Sequence, residues 1–221
     1  MNKREKQKQK TRKKLLVATI DTISTEGLDG VTMSKVTKHA KLSRGMCNYH
    51  FETKEQLIKE AFQMVYHEHE TTWRHILCDK NRHPVERMNE FITALLTPPI
   101  AETNKVAIWL AFWGVLSSRQ MYFDLCTETD REYEKAVEDV LRQISGSNGH
   151  VNDLSLHAIA VSLTGLIDGL GLQYVISPGQ LTPQEAILSC RAYLSSFFPE
   201  FGSMGVDTSD SEAKDNDRKD T

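Results

Sequence analysis

The chain has 221 residues, of which 39% are hydrophobic and 26% are charged, and its formal net charge at pH 7 is −3. This composition supports a buried core and argues against a disordered chain or a loop-rich β-sandwich. The apolar runs at 15–20 and 106–116 are too short for a signal peptide or a membrane span of about 20 residues, so we expect a cytoplasmic protein without membrane contact. Four dispersed cysteines without a CxxC pair exclude a disulfide framework and a zinc ribbon.

Charge is divided unevenly along the chain. Residues 1–60 hold 14 Lys and Arg against 7 Asp and Glu, whereas residues 61–221 hold 13 against 23. A basic end on an acidic body is typical of a nucleic-acid-binding head joined to a partner domain. A solvated basic arm without any partner is the alternative, and charge alone does not decide between the two.

Apolar residues recur at helical spacing along most of the chain, and no alternating strand pattern of useful length is present. The predicted helices cover about residues 15–26, 33–40, 43–49, 54–78, 84–95, 104–118, 121–144, 153–176 and 183–198. The sequence therefore predicts an all-α fold of about nine helices, with three short ones in the basic segment.

Several helix ends carry recognisable signals. Gly27 stands where a glycine stops a helix, and Thr32 and Ser43 are predicted N-caps. Capping boxes are predicted at residues 53–56 and 182–185, and the second also has proline at its first helical position. Asp153 is a further predicted cap.

Residues 32–49 are predicted to form a helix, a tight turn and a second helix. The second helix of such a motif lies in the major groove of DNA, where Arg44 is placed to bind guanine and Gly45 lets the backbone approach. Phosphate contacts are expected at the end of this helix and at the start of the next. The candidate DNA-binding residues are Thr32, Ser43, Arg44, Gly45, Met46, Asn48, Tyr49, His50 and Lys54.

The stretches Thr32 to Ala40, Leu42 to Gly45, Tyr49 to Phe51 and Lys54 to Leu57 resemble the signature of TetR-family transcriptional regulators. The likeness covers about residues 11–60. It implies an all-helical protein with a three-helix DNA-binding head and a ligand-sensing body that dimerises through its last two helices. Lys41 departs from the pattern, because the family usually has glycine there, and must adopt or avoid a left-handed conformation without glycine's freedom.

A second likeness lies in the body. Residues 106–113 and 163–170 are similar to the choline-responsive BetI branch of the family, which represses genes of glycine-betaine synthesis. The resemblance predicts the two central regions of the chain, and polar composition predicts a flexible arm and a tail at its ends, so we expect four regions. They are a flexible basic arm at 1–10, a helix-turn-helix domain at 11–55, a helical sensing and dimerisation domain at 56–201, and a disordered acidic tail at 202–221.

The body contains candidate ligand-binding residues. Trp109 and Trp113 share one helix face, which indicates either an aromatic cage for a quaternary ammonium ion or a buried core stripe. Asp168, in an otherwise apolar helix, either balances a cationic ligand or bonds a neighbouring helix. The candidate set is Trp109, Phe112, Trp113, Asp168 and Tyr174. We expect a small apolar or cationic effector, with choline first because of the BetI-like stretch.

Three other features have competing interpretations. The glycines at 165, 169 and 171 favour close helix packing over a phosphate loop. His67 and His69 invite a metal site, but two residues apart they point to different helix faces, so we expect neither a metal nor a cofactor. Cys47 is interpreted as a small core residue, with a redox sensor as the alternative.

The function predicted from these observations is a homodimeric, ligand-responsive repressor that leaves a palindromic operator on double-stranded DNA when an inducer binds. The helices at 153–176 and 183–198 are apolar on several faces, so we expect them to pack against a second copy. The rival classes are a helical enzyme and an interaction protein whose basic end binds nucleic acid without sequence preference. The chain has no GxSxG, Walker A or HExxH motif.

Overall fold

The computed structural model describes residues 2–114, 116–146 and 149–202, with the side chains of Arg44 and residues 116–124 left undescribed. Within these ranges the chain forms nine α-helices, a two-stranded antiparallel hairpin and a short 3-10 turn at Pro199–Phe201, and the predicted all-α class is confirmed. The helices are α1 (Lys3–Gly30), α2 (Met33–His39), α3 (Arg44–His50), α4 (Lys54–Leu77), α5 (Pro84–Leu95), α6 (Thr103–Gly114), α7 (Leu116–Ser145), α8 (Leu156–Ile176) and α9 (Pro183–Ser195). The hairpin strands are β1 (His150–Val151) and β2 (Leu154–Ser155).

The first helix begins earlier than predicted. Residues 3–10 are helical rather than a flexible arm, because the Asn2 side chain accepts a hydrogen bond from the Arg4 backbone N–H at 3.4 Å and the following Lys and Gln residues favour helix. All of residues 3–10 are exposed, so two basic turns project from the head. The helix kinks at Gly27, which has a φ of 71°, where the sequence predicted its end.

The head is built from α1, α2, α3 and the first half of α4 around one apolar core. Thr32 and Thr53 accept hydrogen bonds from the backbone N–H groups three residues ahead, at 3.2 and 3.0 Å, as their predicted capping roles require. Ser43 occupies the N-cap position of α3 without a side-chain capping bond. Lys41 takes the left-handed conformation, with a φ of 53°. The turn of the motif therefore keeps its shape without glycine.

The body packs α5, α7, α8, α9 and the end of α4 around a second core, whose central side chains include Trp73, Met88, Phe91, Leu141 and Leu163. The Thr182 capping box at the start of α9 is present with both reciprocal bonds. Ser155, rather than Asp153, caps α8, through a 3.1 Å bond from the Ala158 N–H. Asp153 instead lies in the hairpin turn, where it and Asn152 have positive φ angles.

Helix α6 joins the head to the body. It packs on α1 and α8, and Phe112 near its end lies in the head core. The Asn104 side chain donates a 2.7 Å hydrogen bond to Asp21 of α1, and the Lys105 ammonium lies 2.7 Å from a carboxylate oxygen of Glu68 in α4. A displacement of α6 would therefore act directly on α1 and α4 through these two contacts.

Apolar surface remains exposed on the last two long helices. Val161 and Ile176 of α8 are 41% and 59% exposed, and Leu188 of α9 is 44% exposed. Among the described helices, α8 is the one whose length and composition would suit a membrane span, but it packs on α6, α7 and α9. We therefore interpret its outer face as a packing surface of the body.

Candidate DNA-binding surface and effector cavity

Helix α3 presents a small polar surface to solvent. Gly45, Asn48 and Tyr49 are exposed, and Tyr49 is 68% exposed, whereas Cys47 is fully buried among the head helices. Arg44 is the first residue of α3, and its side chain lies outside the described part of the chain. The described outward face of α3 therefore combines small and polar residues with one exposed aromatic ring, that of Tyr49, and a major groove is wide enough to admit such a helix.

The remaining candidate residues surround this helix. Thr32 and Ser43 are exposed at the starts of α2 and α3, and Met46 and Lys54 are half-buried. Of the nine candidates, seven are therefore at least partly exposed, the Arg44 side chain is not described, and His50 is buried.

His50 does not offer its ring to a phosphate. The residue is only 7% exposed, and neither ring nitrogen has a hydrogen-bond partner among the described residues. Burial lowers the pKa of His50, and the charges of Arg12 and Lys8 lower it further, so the ring is neutral at pH 7. Sequence reasoning placed it at the surface because the end of a seven-residue helix gives no indication of which side faces the core.

Arg12 connects three elements of the head. Its guanidinium donates to the His50 carbonyl at 2.6 Å and to both Glu60 carboxylate oxygens at 2.6 and 2.5 Å, and it lies 4.3 Å from the centre of the Phe51 ring. Hydrogen bonds between ionised partners, such as this arginine and carboxylate, are about twice as strong as neutral ones. Arg12 therefore holds α1 in register with the end of α3 and with α4. The partners lie 38 and 48 residues away, and no local pattern in the sequence could predict them.

Cys47 is a packing residue in this arrangement. Its Sγ lies 3.4 Å from the Met33 Sδ, and burial raises the pKa of the thiol. A redox sensor needs an accessible thiolate. The structure therefore favours the core interpretation over the sensor.

A cavity of about 210 Å³ lies in the body between α4, α5, α6, α7 and α8. Two predicted aromatic residues line it, Trp109 and Trp113, whose ring centroids are 5.8 Å apart. Tyr133 of α7 also lines the cavity, and His69 lies between Trp109 and Tyr133 with centroid distances of 5.7 and 5.3 Å. One side of the cavity is therefore an aromatic wall.

The lining of the cavity is also acidic. Asp168 of α8 lines it as predicted, and Asp130 and Glu134 of α7 join it. None of the described residues that line the cavity is Lys or Arg. Loss of surrounding water raises the pKa of Asp168 to about 6, and the charge of Asp130 adds to the rise. Burial lowers the pKa of His69 to about 4, so none of the described lining residues is a cation at neutral pH.

Two predicted ligand residues lie elsewhere. Phe112 is 1% exposed and stacks on Phe62 of α4 at a centroid distance of 4.1 Å, so it belongs to the head core. The Tyr174 hydroxyl donates to the Leu96 carbonyl at 3.1 Å and fastens the end of α8 to the end of α5. Both were assigned to the cavity on aromatic character alone, which does not distinguish a ligand wall from a core.

Besides Asp168, the titratable residues that line the cavity are His69, Asp130, Tyr133 and Glu134, and sequence reasoning missed all four. Three of them are spaced i, i+3 and i+4 on α7 and share one helix face, which is a usable signal. The sequence could not show that this face of α7 lines the same cavity as Asp168 of α8.

No group of three potential metal ligands occurs among the described side chains. His67 lies 3.6 Å from Glu70 on the surface of α4, while His69 lines the cavity. The two histidines therefore diverge, as their spacing predicted.

Comparisons with known proteins agree on both halves of the chain. A model of the bacterial regulatory proteins of the tetR family matches residues 15–61, and a model of the BetI-type transcriptional repressor C-terminal domain matches residues 84–199. The HTH-type transcriptional regulator BetI of Vibrio vulnificus (strain YJ016) is 25% identical over 192 residues, which cover 83% of this chain and 90% of that protein.

Solved structures show the same fold. A transcriptional regulator from Pseudomonas aeruginosa PAO1 superposes with a TM-score of 0.68 at 25% identity, covering 84% of this chain and 88% of that one. A transcriptional regulator from Saccharomonospora viridis in complex with choline has a TM-score of 0.68 at 18% identity, covering 85% of this chain and 96% of its own.

Proposed function

Because the chain belongs to the TetR family of bacterial transcriptional regulators and has a BetI-type C-terminal domain, we propose that it binds a palindromic operator as a homodimer and leaves it when a small cation occupies the cavity. Membership makes the protein a DNA-binding regulator, and it gives no support to the enzyme considered as a rival. We expect it to act in the cytoplasm, where its DNA target is.

The DNA contact follows from the shape of the head. The exposed face of α3 carries small and polar residues, and Tyr49 and Lys54 flank it. Two such helices must lie about 34–36 Å apart to enter successive major grooves, and this spacing requires a second copy of the chain. A two-fold dimer in turn implies a palindromic site.

The exposed apolar faces of α8 and α9 supply the contact between copies. Val161, Ile176 and Leu188 lie on these two helices, and a four-helix interface across a two-fold axis would bury them. Gly165 and Gly169 on α8 have no neighbouring heavy atom within 4 Å of an added Cβ, which leaves room for another helix to approach closely.

The composition of the cavity supports a cationic effector. Aromatic faces carry negative potential, and a desolvated cation–π contact contributes about 2 kcal/mol. The three carboxylates Asp130, Glu134 and Asp168 add a negative field without any lining lysine or arginine among the described residues. Choline combines a quaternary ammonium group for the Trp109 wall with a hydroxyl that can donate to a carboxylate, and it occupies the similarly folded regulator of Saccharomonospora viridis.

The route from cavity to head runs through α6. Trp109 lines the cavity and also contacts Phe62 of α4 at a centroid distance of 5.2 Å, while Asn104 on the same helix bonds to Asp21 of α1. An effector that binds better to a conformation with wider head spacing shifts the population away from DNA, to the extent of its differential affinity.

The acidic and aromatic lining of the cavity is the observation that carries this proposal, and calorimetry tests it. We expect choline to bind the wild-type protein at least tenfold more tightly than its neutral carbon isostere, 3,3-dimethylbutan-1-ol. Equal and millimolar-or-weaker binding of the two would remove the argument for a cation and leave an apolar inducer.

A further inference from the structure

The first two turns of α1 extend beyond the core of the head and are strongly basic. Residues 3–14 hold eight Lys and Arg and a single acidic residue, Glu5. Of these residues, Thr11 is buried and Arg12 partly so, and the others are exposed. Eight helical residues span about 12 Å, so this segment is a projecting rod of positive charge.

One face of the rod is aligned with α3. Arg4, Lys8 and Arg12 follow an i, i+4, i+8 spacing and therefore share a helix face. Arg12 fixes that face toward the end of α3 through its bond to the His50 carbonyl. The Lys8 ammonium lies 5.8 Å from the centre of the exposed ring of Tyr49, the residue that precedes His50 in α3.

We propose that Arg4 and Lys8 form a second DNA contact, which binds the sugar-phosphate backbone beside the groove that α3 enters. The proposal rests on the DNA-binding role given above to α3. Because the Lys8 ammonium lies over the exposed Tyr49 ring, a phosphate beside them can accept from a neutral hydroxyl and from a charged ammonium. Arg4 lies four residues, or about 6 Å, further along the axis. Double-stranded DNA carries one charge per ~1.7 Å of helix axis, so phosphates are spaced closely enough for each of the two cations to meet one.

The rigidity of the segment distinguishes this contact from a diffuse attraction. The Arg12–Glu60 pair and the Asn2 cap hold the basic residues on a helix of fixed direction. Cations on the opposite side, Lys6 and Lys13, point away from Tyr49 by the same helical geometry and are equally exposed. The proposal therefore assigns different roles to lysines that the sequence alone does not distinguish.

Two double variants test the proposal, R4Q/K8Q and the matched control K6Q/K13Q. Each removes two exposed positive charges and introduces glutamine, which has a similar helix propensity. The measurement is the dissociation constant at a series of salt concentrations. It uses two duplexes of equal length, one selected from a random library by the wild-type protein and one of arbitrary sequence.

We expect R4Q/K8Q to reduce the slope of log K against log salt by about 1.8 per protomer, and K6Q/K13Q to reduce it by less than half as much. The charge-preserving variant R4K/K8R should keep the wild-type slope. Equal reductions in the two glutamine variants, or no reduction in R4Q/K8Q, would overturn the proposal. If the wild-type protein failed to discriminate between the two duplexes, the proposed function would fail, but the slopes on the arbitrary duplex would still test the contact.

Discussion

Asp168 is a cavity residue whose charge changes close to neutral pH. Its pKa of about 6 means that it becomes ionised between pH 5 and 7, while burial lowers the pKa of His69 to about 4 and raises that of Tyr133 well above its usual value. Asp130 and Glu134 share the cavity, and of these Asp130 contributes to the shift. A cation in the cavity favours the ionised carboxylate, so its binding displaces the Asp168 proton.

We therefore predict that the affinity for choline rises between pH 5 and 7, by up to about tenfold per pH unit below pH 6. The change Asp168→Asn should weaken binding at pH 7 and flatten this dependence, since no proton remains to be displaced. Calorimetric titration at four pH values measures both. A pH dependence that survives unchanged in D168N would assign it to another group.

The same substitution should stabilise the empty protein. A carboxyl group whose pKa is raised on folding opposes folding when ionised, so this penalty is present above about pH 6 and disappears toward pH 4. We expect D168N to melt at a higher temperature than wild type at pH 7.5, with a difference that shrinks as the pH falls to 4. A lower melting temperature at pH 7.5 would contradict the assigned environment.

Lys41 carries backbone strain in the turn before α3. A non-glycine residue in the left-handed region costs about 1 kcal/mol relative to one that adopts it freely. We predict that Lys41→Gly raises the free energy of unfolding by about 0.5–1 kcal/mol in urea denaturation. Lys41→Ala removes the same charge but keeps the strain, so it should not be stabilising; if it matched the glycine variant, the gain would come from charge.

At the scale of the elements, we predict that α3 recognises the DNA sequence and that the start of α4 adds binding independent of sequence. Arg44 stands at its first position and is predicted to contact a base, whereas Lys54 begins α4 and is predicted to contact a phosphate. Arg44→Ala should cost about 1–3 kcal/mol on the selected duplex and relax its preference at one base per half-site. Lys54→Ala should lower the affinity for all duplexes by the same factor. If R44A kept the full preference in a competition gel shift, the recognition helix would be misplaced.

The α8 and α9 faces make a separate prediction about assembly. Leu188→Glu puts a charge in the proposed interface, and burying an unpaired charge is costly, so light scattering should show a monomer near 25.1 kDa instead of a dimer. Leu154 in the hairpin is similarly exposed, at 42%, and lies outside these helices. Leu154→Glu is the matched control and should remain dimeric. If both variants remained dimeric, the interface would have to lie elsewhere.

Elements with local signals were predictable from the sequence. Capping residues such as Thr32, Thr53 and Thr182 start their helices where the sequence placed them, because a cap acts over three residues. The hairpin between α7 and α8 was missed, since strands of two residues are too short to show alternation.

The candidate sites were only partly predictable, because they depend on which faces meet. The i, i+4 spacing of Trp109 and Trp113 indicated part of the aromatic lining of the cavity. Its acidic lining could not be predicted without knowing how α7 packs against α8. The Arg12–Glu60 pair could not be predicted either, because its two residues are 48 positions apart and no local sequence pattern connects them.

At the scale of the whole molecule, helix α6 connects the acidic, aromatic cavity in the body to the head. The two cores meet along this helix, since Trp109 packs against the head cluster while lining the cavity. We propose that an effector that contacts Trp109 acts on α6, the helix whose Asn104 bonds to Asp21 of α1.

The most direct test of this link is the affinity of the dimer for its selected duplex, measured by fluorescence anisotropy with and without a cationic effector. We predict that saturating choline weakens wild-type binding at least tenfold, that 3,3-dimethylbutan-1-ol at the same concentration does not, and that D168N responds much less to choline. Unchanged affinity in choline, or equal weakening by the neutral isostere, would contradict the account.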